Sequence, residues 1–135
     1  MSDLDAVIPL FRDLLGFELT SRAPREARLI ERMTQIDGGD IEIAYVNGPG
    51  HRIELIQYKA PADREVVVPR LCDSGAAHVA LNVTGIEALV RASAAYGFKA
   101  VGEIIEIDAG PNRGSRVVYL RGPDGTTVEY IQKGA

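Results

Sequence analysis

A short strand-like segment occurs twice in this chain, and that repetition limits the fold more than any other feature. Arg52-Ile53-Glu54-Leu55-Ile56-Gln57-Tyr58 returns as Thr127-Val128-Glu129-Tyr130-Ile131-Gln132-Lys133, with Glu and Gln at matching places. A helix-like run ending in Gly-Phe precedes each copy, Leu4 to Phe17 and Ile86 to Phe98. Two half-modules can face each other across one cleft, where equivalent residues converge. The repeated chemical residue is a carboxylate inside an apolar strand.

The 135 residues suit one domain spanning 1–135, or two fused halves too small to fold apart. Module one covers 1–58, a connector 59–75 and module two 76–135. A net charge of -4 favours neither nucleic acid nor an anionic membrane as partner. No apolar run approaches the ~20 residues of a membrane span. The lone Cys72 fits a reducing compartment. The acidic first residues lack a basic leader. Together these predict a cytoplasmic protein.

Leu4, Val7, Ile8, Phe11, Leu14 and Leu15 recur at helical spacing, behind a capping box expected from Ser2 and Asp5. Gly16 stops that helix. Strands are expected from Phe17 to about Gln35 (broken near Ala23-Pro24), over Ile41–Val46 and over Arg52–Tyr58. The turn Asn47-Gly48-Pro49-Gly50 joins the last two. In the second half a strand is expected over Ala77–Val83. Thr84 and Glu87 then form a capping box for a helix over 86–96. Strands follow near 98–107, 116–121 and 126–132. The second half therefore reads strand, helix, strand, strand, strand. The first half reads helix, strand, strand, strand, so its opening strand is missing. Aligned on the Gly-Phe pair, the counterpart of His78 would fall upstream of Met1.

Strand side chains alternate faces. Val79, Leu81 and Val83 can pack on a helix, which turns His78, Ala80 and Asn82 to the concave face. Thr127, Glu129 and Ile131 share one face, as do Arg52, Glu54, Ile56 and Tyr58. Where these faces line one cleft, Glu54, His78 and Glu129 converge. One imidazole and two carboxylates suit a divalent metal: zinc, nickel, cobalt, manganese or iron. Without an ion the carboxylates repel, and one takes up a proton. His51 lies an odd number of residues from Glu54 and reads as a turn histidine. Arg12, Arg22, Arg25, Arg28 and Arg32 read as a solvated surface. Asn112, Arg113 and Arg116 border a glycine-rich loop that can contact substrate, although turn chemistry explains them as well.

Several motifs bear a resemblance to one family. Leu15-Gly16-Phe17, Ile53-Glu54-Leu55-Ile56-Gln57-Tyr58, Ala77-His78-Val79-Ala80-Leu81 and Tyr119-Leu120-Arg121-Gly122-Pro123-Asp124-Gly125-Thr126-Thr127-Val128-Glu129 resemble the vicinal oxygen chelate superfamily. That superfamily holds glyoxalase I, bleomycin-resistance proteins and extradiol dioxygenases. The resemblance covers nearly the whole chain. It implies an α+β fold of two paired βαβββ modules with curved sheets forming a cleft, the first module clipped of its N-terminal strand. It also implies metal ligands at Glu54, His78 and Glu129, the last three members of a His, Glu, His, Glu pattern. A homodimer is expected, because clipping exposes a sheet edge.

The resemblance favours an enzyme of glyoxalase type, a lyase or isomerase acting on a small oxygenated molecule. The metal acts as a Lewis acid, and Glu129 or Glu54 moves a proton between neighbouring carbons, as in lactoylglutathione lyases and epimerases. The alternative is a metal-free binder of small molecules, of antibiotic type. An iron-dependent extradiol dioxygenase ranks third, since that branch uses two His and one Glu.

Overall fold

A computed structural model describes residues 1–134, and the chain divides into two units, Met1–Val67 and a second from Val68 onward. The fold is α+β, with two separate sheets and few helices.

The first unit opens with helix α1 (Leu4–Pro9), which continues as a π-helical turn over Leu10–Leu14. Pro9 has no backbone N–H to give to the preceding turn, and Leu15 N–H reaches five residues back to the Leu10 carbonyl. Gly16, at φ 73°, ends the segment. The cap is Asp3, whose side chain accepts from Asp5 N–H; it is not the expected Ser2. Strand β1 (Glu18–Pro24) follows, then helix α2 (Ala27–Thr34), then the hairpin strands β2 (Asp40–Gly48) and β3 (His51–Ala60). The three strands form an antiparallel sheet in that order.

Helix α2 corrects the expectation of continued strand to about Gln35. Only Ile30 of this helix is buried, while Leu29 and Met33 stay exposed. An apolar signature that sparse carries little helical periodicity. Arg22 corrects a second expectation. It joins Asp5 and Glu42 in an ion-pair network instead of standing free in solvent.

The faces of this sheet differ in cover. Ala44, Val46 and Leu55 are buried on one side, with Leu4, Val7, Ile8 and Phe11 of the first helical segment buried in the same unit. On the other side Ile30 of α2 packs with Ile41 and Ile43, and Tyr45, Ile56 and Tyr58 close around that cluster.

The second unit holds β4 (Val79–Asn82), helix α3 (Ile86–Ser93) with a 3₁₀ turn to Tyr96, and the two short strands β5 (Lys99–Ala100) and β6 (Ile105–Glu106). The hairpin β7 (Arg116–Arg121) and β8 (Thr127–Gln132) completes it. The expected strand near 98–107 is thus two short pieces. The sheet order is β4-β8-β7-β5, with β6 also on β7. β4 runs parallel to β8, and the other pairs are antiparallel. Val118, Leu120, Val128, Tyr130, Leu81, Phe98 and Ile86 form the buried side. Gly85, not a Thr84 capping box, precedes α3 and contributes no side-chain cap.

Local details recur between the units. Leu4 N–H donates to Gln57 Oε1 at 3.0 Å, and Ile86 N–H donates to Gln132 Oε1 at 2.8 Å. Each helix start is therefore satisfied by the repeated Gln of the last strand of its own unit. A Cβ added at Gly48 would lie 2.5 Å from the Phe17 ring, and one at Gly122 would lie 2.6 Å from Phe98. Each Gly-Phe motif thus places its ring on a glycine of the following hairpin. At the outer edge of β8, Val83 N–H donates to the Ile131 carbonyl at 2.9 Å. The matching Ile56 carbonyl of β3 accepts from the Met1 ammonium at 2.8 Å. Among the described residues, β3 has no outer strand neighbour like the one β4 gives β8.

Candidate active site

His78 stands one residue before β4, and the parallel register sets Ala80 beside Glu129 of β8. Alternation then directs His78 and Glu129 to the same side, away from the buried Leu81 and Tyr130. His78 Nε2 lies 3.2 Å from Glu129 Oε2, with side-chain exposures of 39% and 13%. The carboxylate is thus mostly covered and the imidazole open to solvent on one side. Tyr119 completes the group. It lies directly opposite Glu129 in the β7–β8 register, and its ring meets His78 edge to face at 5.1 Å. Burial first, then the charge of Glu129 and a hydrogen bond with it, hold the Tyr119 hydroxyl above its usual pKa. Tyr119 is therefore a neutral donor at neutral pH.

In the first unit Glu54 lies opposite Tyr45 in the β2–β3 register. The Tyr45 hydroxyl donates to Glu54 Oε1 at 2.6 Å, a short charge-assisted bond. Arg52 covers the Tyr45 ring at 4.6 Å from its centroid. Glu54 is exposed, on the same face of the sheet as Ile56 and Tyr58.

The spacing of this one pair is compatible with a divalent ion. Two ligand atoms each about 2.1 Å from one ion sit about 3.0–3.4 Å apart in tetrahedral or octahedral geometry. The observed 3.2 Å between an imidazole nitrogen and a carboxylate oxygen falls in that range. Among the described residues, no three His, Cys, Asp or Glu side chains gather where they could hold a metal.

The remaining sequence candidates fall elsewhere. Arg116 shares the face of Val118 and Leu120, opposite that of Tyr119, and pairs with Glu87 at 2.5 Å. This placement takes it away from Glu129. Asn112 and Arg113 lie in the exposed turn between β6 and β7, where Arg113 N–H donates to Gly110 and the Asn112 carbonyl accepts from Ser115. His51 is a turn residue, with Nδ1 at 2.9 Å from the Pro49 carbonyl and its ring against Phe17. The two tyrosines are what the sequence reading lacked. Counting outward from each hairpin turn pairs Tyr45 with Glu54 and Tyr119 with Glu129, so register was the available signal.

Comparison with known proteins places this geometry in context. The chain is 31% identical over 134 residues to a 2-epi-5-epi-valiolone epimerase from Actinomyces sp, covering 96% of this chain and 73% of that protein. A glyoxalase family protein from Bacillus cereus is similar in structure with a TM-score of 0.84 at 26% identity, covering 100% of this chain and 89% of that one. Glyoxalase I from Zea mays has a TM-score of 0.66 at 17% identity, and this chain spans 42% of its length. The last likeness is one of fold. Members of this group commonly use a divalent metal and bind small molecules. The model of the Glyoxalase/Bleomycin resistance protein/Dioxygenase superfamily matches residues 1–130, and the chain belongs to that superfamily.

Proposed function

We propose that this protein is a metal-dependent enzyme of glyoxalase type that moves a proton at a carbon next to a carbonyl, in an epimerisation or isomerisation of a small oxygenated substrate. The observation that carries the reading is the His78–Glu129 pair, an imidazole nitrogen and a mostly covered carboxylate 3.2 Å apart. Similarity to an epimerase at 31% identity favours inversion at one carbon over the lyase variant.

Glu54, His78 and Glu129 are the residues that would hold one divalent ion. A bound divalent ion supplies Lewis-acid polarisation of a substrate oxygen, which acidifies the neighbouring C–H. The chain's own residues do the rest. His78 contributes an uncharged donor, so the positive charge of the ion is balanced by the carboxylates alone. One of the two repeated carboxylates accepts the proton and returns it to the neighbouring position or the opposite face. The superfamily includes dimeric members, and a homodimer is the expected assembly of this chain. Among the described residues the outer edge of β3 has no strand neighbour, which is a reason for it.

Metal quantification on the purified chain is the first test. Deuterium incorporation from heavy water into a valiolone-type ketone and into a hemithioacetal, followed by NMR, is the second. A stoichiometric divalent ion with metal-dependent exchange is expected. A folded chain that takes up no divalent ion and exchanges no proton would leave the metal-free binding protein as the better reading.

A further inference from the structure

We propose that Tyr45 and Tyr119 are matched positioning residues, each orienting the carboxylate opposite it, Glu54 and Glu129, so that the other carboxylate oxygen is presented to a cation. The inference rests on the metal reading above and deepens it.

The first support is register. Both tyrosines are direct cross-strand partners of the repeated glutamates, on the last hairpin of each unit. At that spacing a phenol reaches across to the neighbouring carboxylate. The second support is contact. Tyr45 donates to Oε1 of Glu54 at 2.6 Å, which leaves Oε2 for another partner. Tyr119 stands cross-strand from Glu129 and against His78, with the Tyr119 and His78 rings edge to face at 5.1 Å. The third support is that each ring is itself held, Tyr45 under Arg52 and Tyr119 against His78. A tethered ring gives its hydroxyl a defined direction, and a glutamate bonded to it loses rotamer freedom before any ligand arrives.

The choice of donor also fits. Lys or Arg in the same place would orient the carboxylate but cancel its charge. A phenol orients it and leaves the negative charge for a cation. Partners of this kind, standing behind a ligand, characteristically set metal affinity by about 10–100-fold.

The test is cobalt(II) binding to the full chain, measured by calorimetry and by visible absorption. Tyr45→Phe, Tyr119→Phe and the double variant are compared with wild type, and Glu129→Gln serves as the control. Each Phe substitution is expected to weaken cobalt binding about 10-fold, and the pair about 100-fold, with a changed cobalt spectrum. A merely structural tyrosine would lower the melting temperature and leave affinity and spectrum alone. Should Tyr119→Phe fail to fold, the half-buried Tyr45 carries the test. Wild-type cobalt binding that falls in Glu129→Gln but is unchanged in both tyrosine variants would overturn the tyrosine proposal and leave the metal reading standing. A wild-type chain that binds no cobalt would overturn both.

Discussion

The two units share a frame and differ in what is laid over it. In each, a helix ending in Gly-Phe sets its ring on a hairpin glycine, and the last strand carries a glutamate facing a tyrosine and a glutamine that caps the helix. The divergence lies between the Gly-Phe motif and the hairpin. The first unit inserts α2 there, and Ile30 seals part of the face that carries Glu54. The second unit places the short strands β5 and β6 and a glycine-bearing turn there, and Val101 and Ile105 remain exposed. Its glutamate gains an imidazole neighbour from His78, just ahead of β4, a strand with no counterpart in the first sheet among the described residues. Apolar and glycine positions thus specify a common backbone, while insertions and edge strands decide what each repeated carboxylate can meet.

The sharpest way to break the comparison is to remove each carboxylate separately. Glu129→Gln is expected to weaken metal binding and, in the metal-loaded fraction as well, to lower turnover by about 10²–10⁴-fold, the usual range for a general base, while leaving the fold intact. Glu54→Gln is expected to lower metal affinity and turnover together. Rates in the heavy-water exchange assay, with bound metal measured on the same samples, distinguish the two. Equal rates for Glu54→Gln and wild type would mean that only the second unit carries chemistry.

A second comparison concerns the frame. Gly48→Ala and Gly122→Ala each drive a methyl into a phenylalanine ring, at 2.5 Å and 2.6 Å. Overpacking of this kind costs about 1–3 kcal/mol. Urea unfolding followed by circular dichroism should show similar losses, with Phe17→Leu and Phe98→Leu restoring part of each. A loss confined to one unit would show that the resemblance of the two Gly-Phe contacts is geometric and not energetic.

Much of the frame was legible in the amino-acid sequence, and the reasons are local. β2, β3, β7 and β8 are largely apolar runs set between clear turn signals, so their positions could be read directly and strand geometry then assigned their faces. The meeting of His78 with Glu129 follows from that alternation once β4 is set beside β8. α2 was not legible, because one buried Ile among arginines and glutamates writes almost no periodicity. The π turn after Pro9 was hidden for the opposite reason, since its apolar spacing remains helical. The helix caps were misread because they are distant in sequence. The repeated glutamine was visible, but its task requires knowing that the last strand runs under the helix start. The tyrosines went unseen because a register, not a motif, brings them to the carboxylates.

Those distant caps give a third, smaller comparison. Gln132→Ala leaves the first N–H of α3 without a side-chain acceptor, and Gly85 offers none. A loss of about 1 kcal/mol is expected in urea unfolding. Gln57→Ala should cost less, because Asp3 still serves the Asp5 N–H in the same turn. Equal losses would show that the Asp3 cap contributes little.

The smallest effect expected is acid sensitivity, and it too differs between the units. The Arg22 hydrogen bonds, followed by those of Lys59, hold the Glu42 carboxyl down at about 2 against an ordinary 4.5. Arg116 lowers Glu87 in the same direction. A carboxyl depressed in the folded state contributes stability that is complete above its unfolded value and fades as pH falls through its folded value. For Glu42 that window runs from about 4.5 down to about 2. Stability should therefore fall as a solution is acidified below pH 4.5, and Glu42→Gln should flatten that fall more than Glu87→Gln. Salt separates them further. The Glu42 side chain is 15% exposed and that of Glu87 48%, so added chloride should screen the Glu87 pair first. Thermal melts across this pH range at low and high salt check the order. Equal slopes for the two variants would mean that the Arg22 network contributes no more than an ordinary surface ion pair.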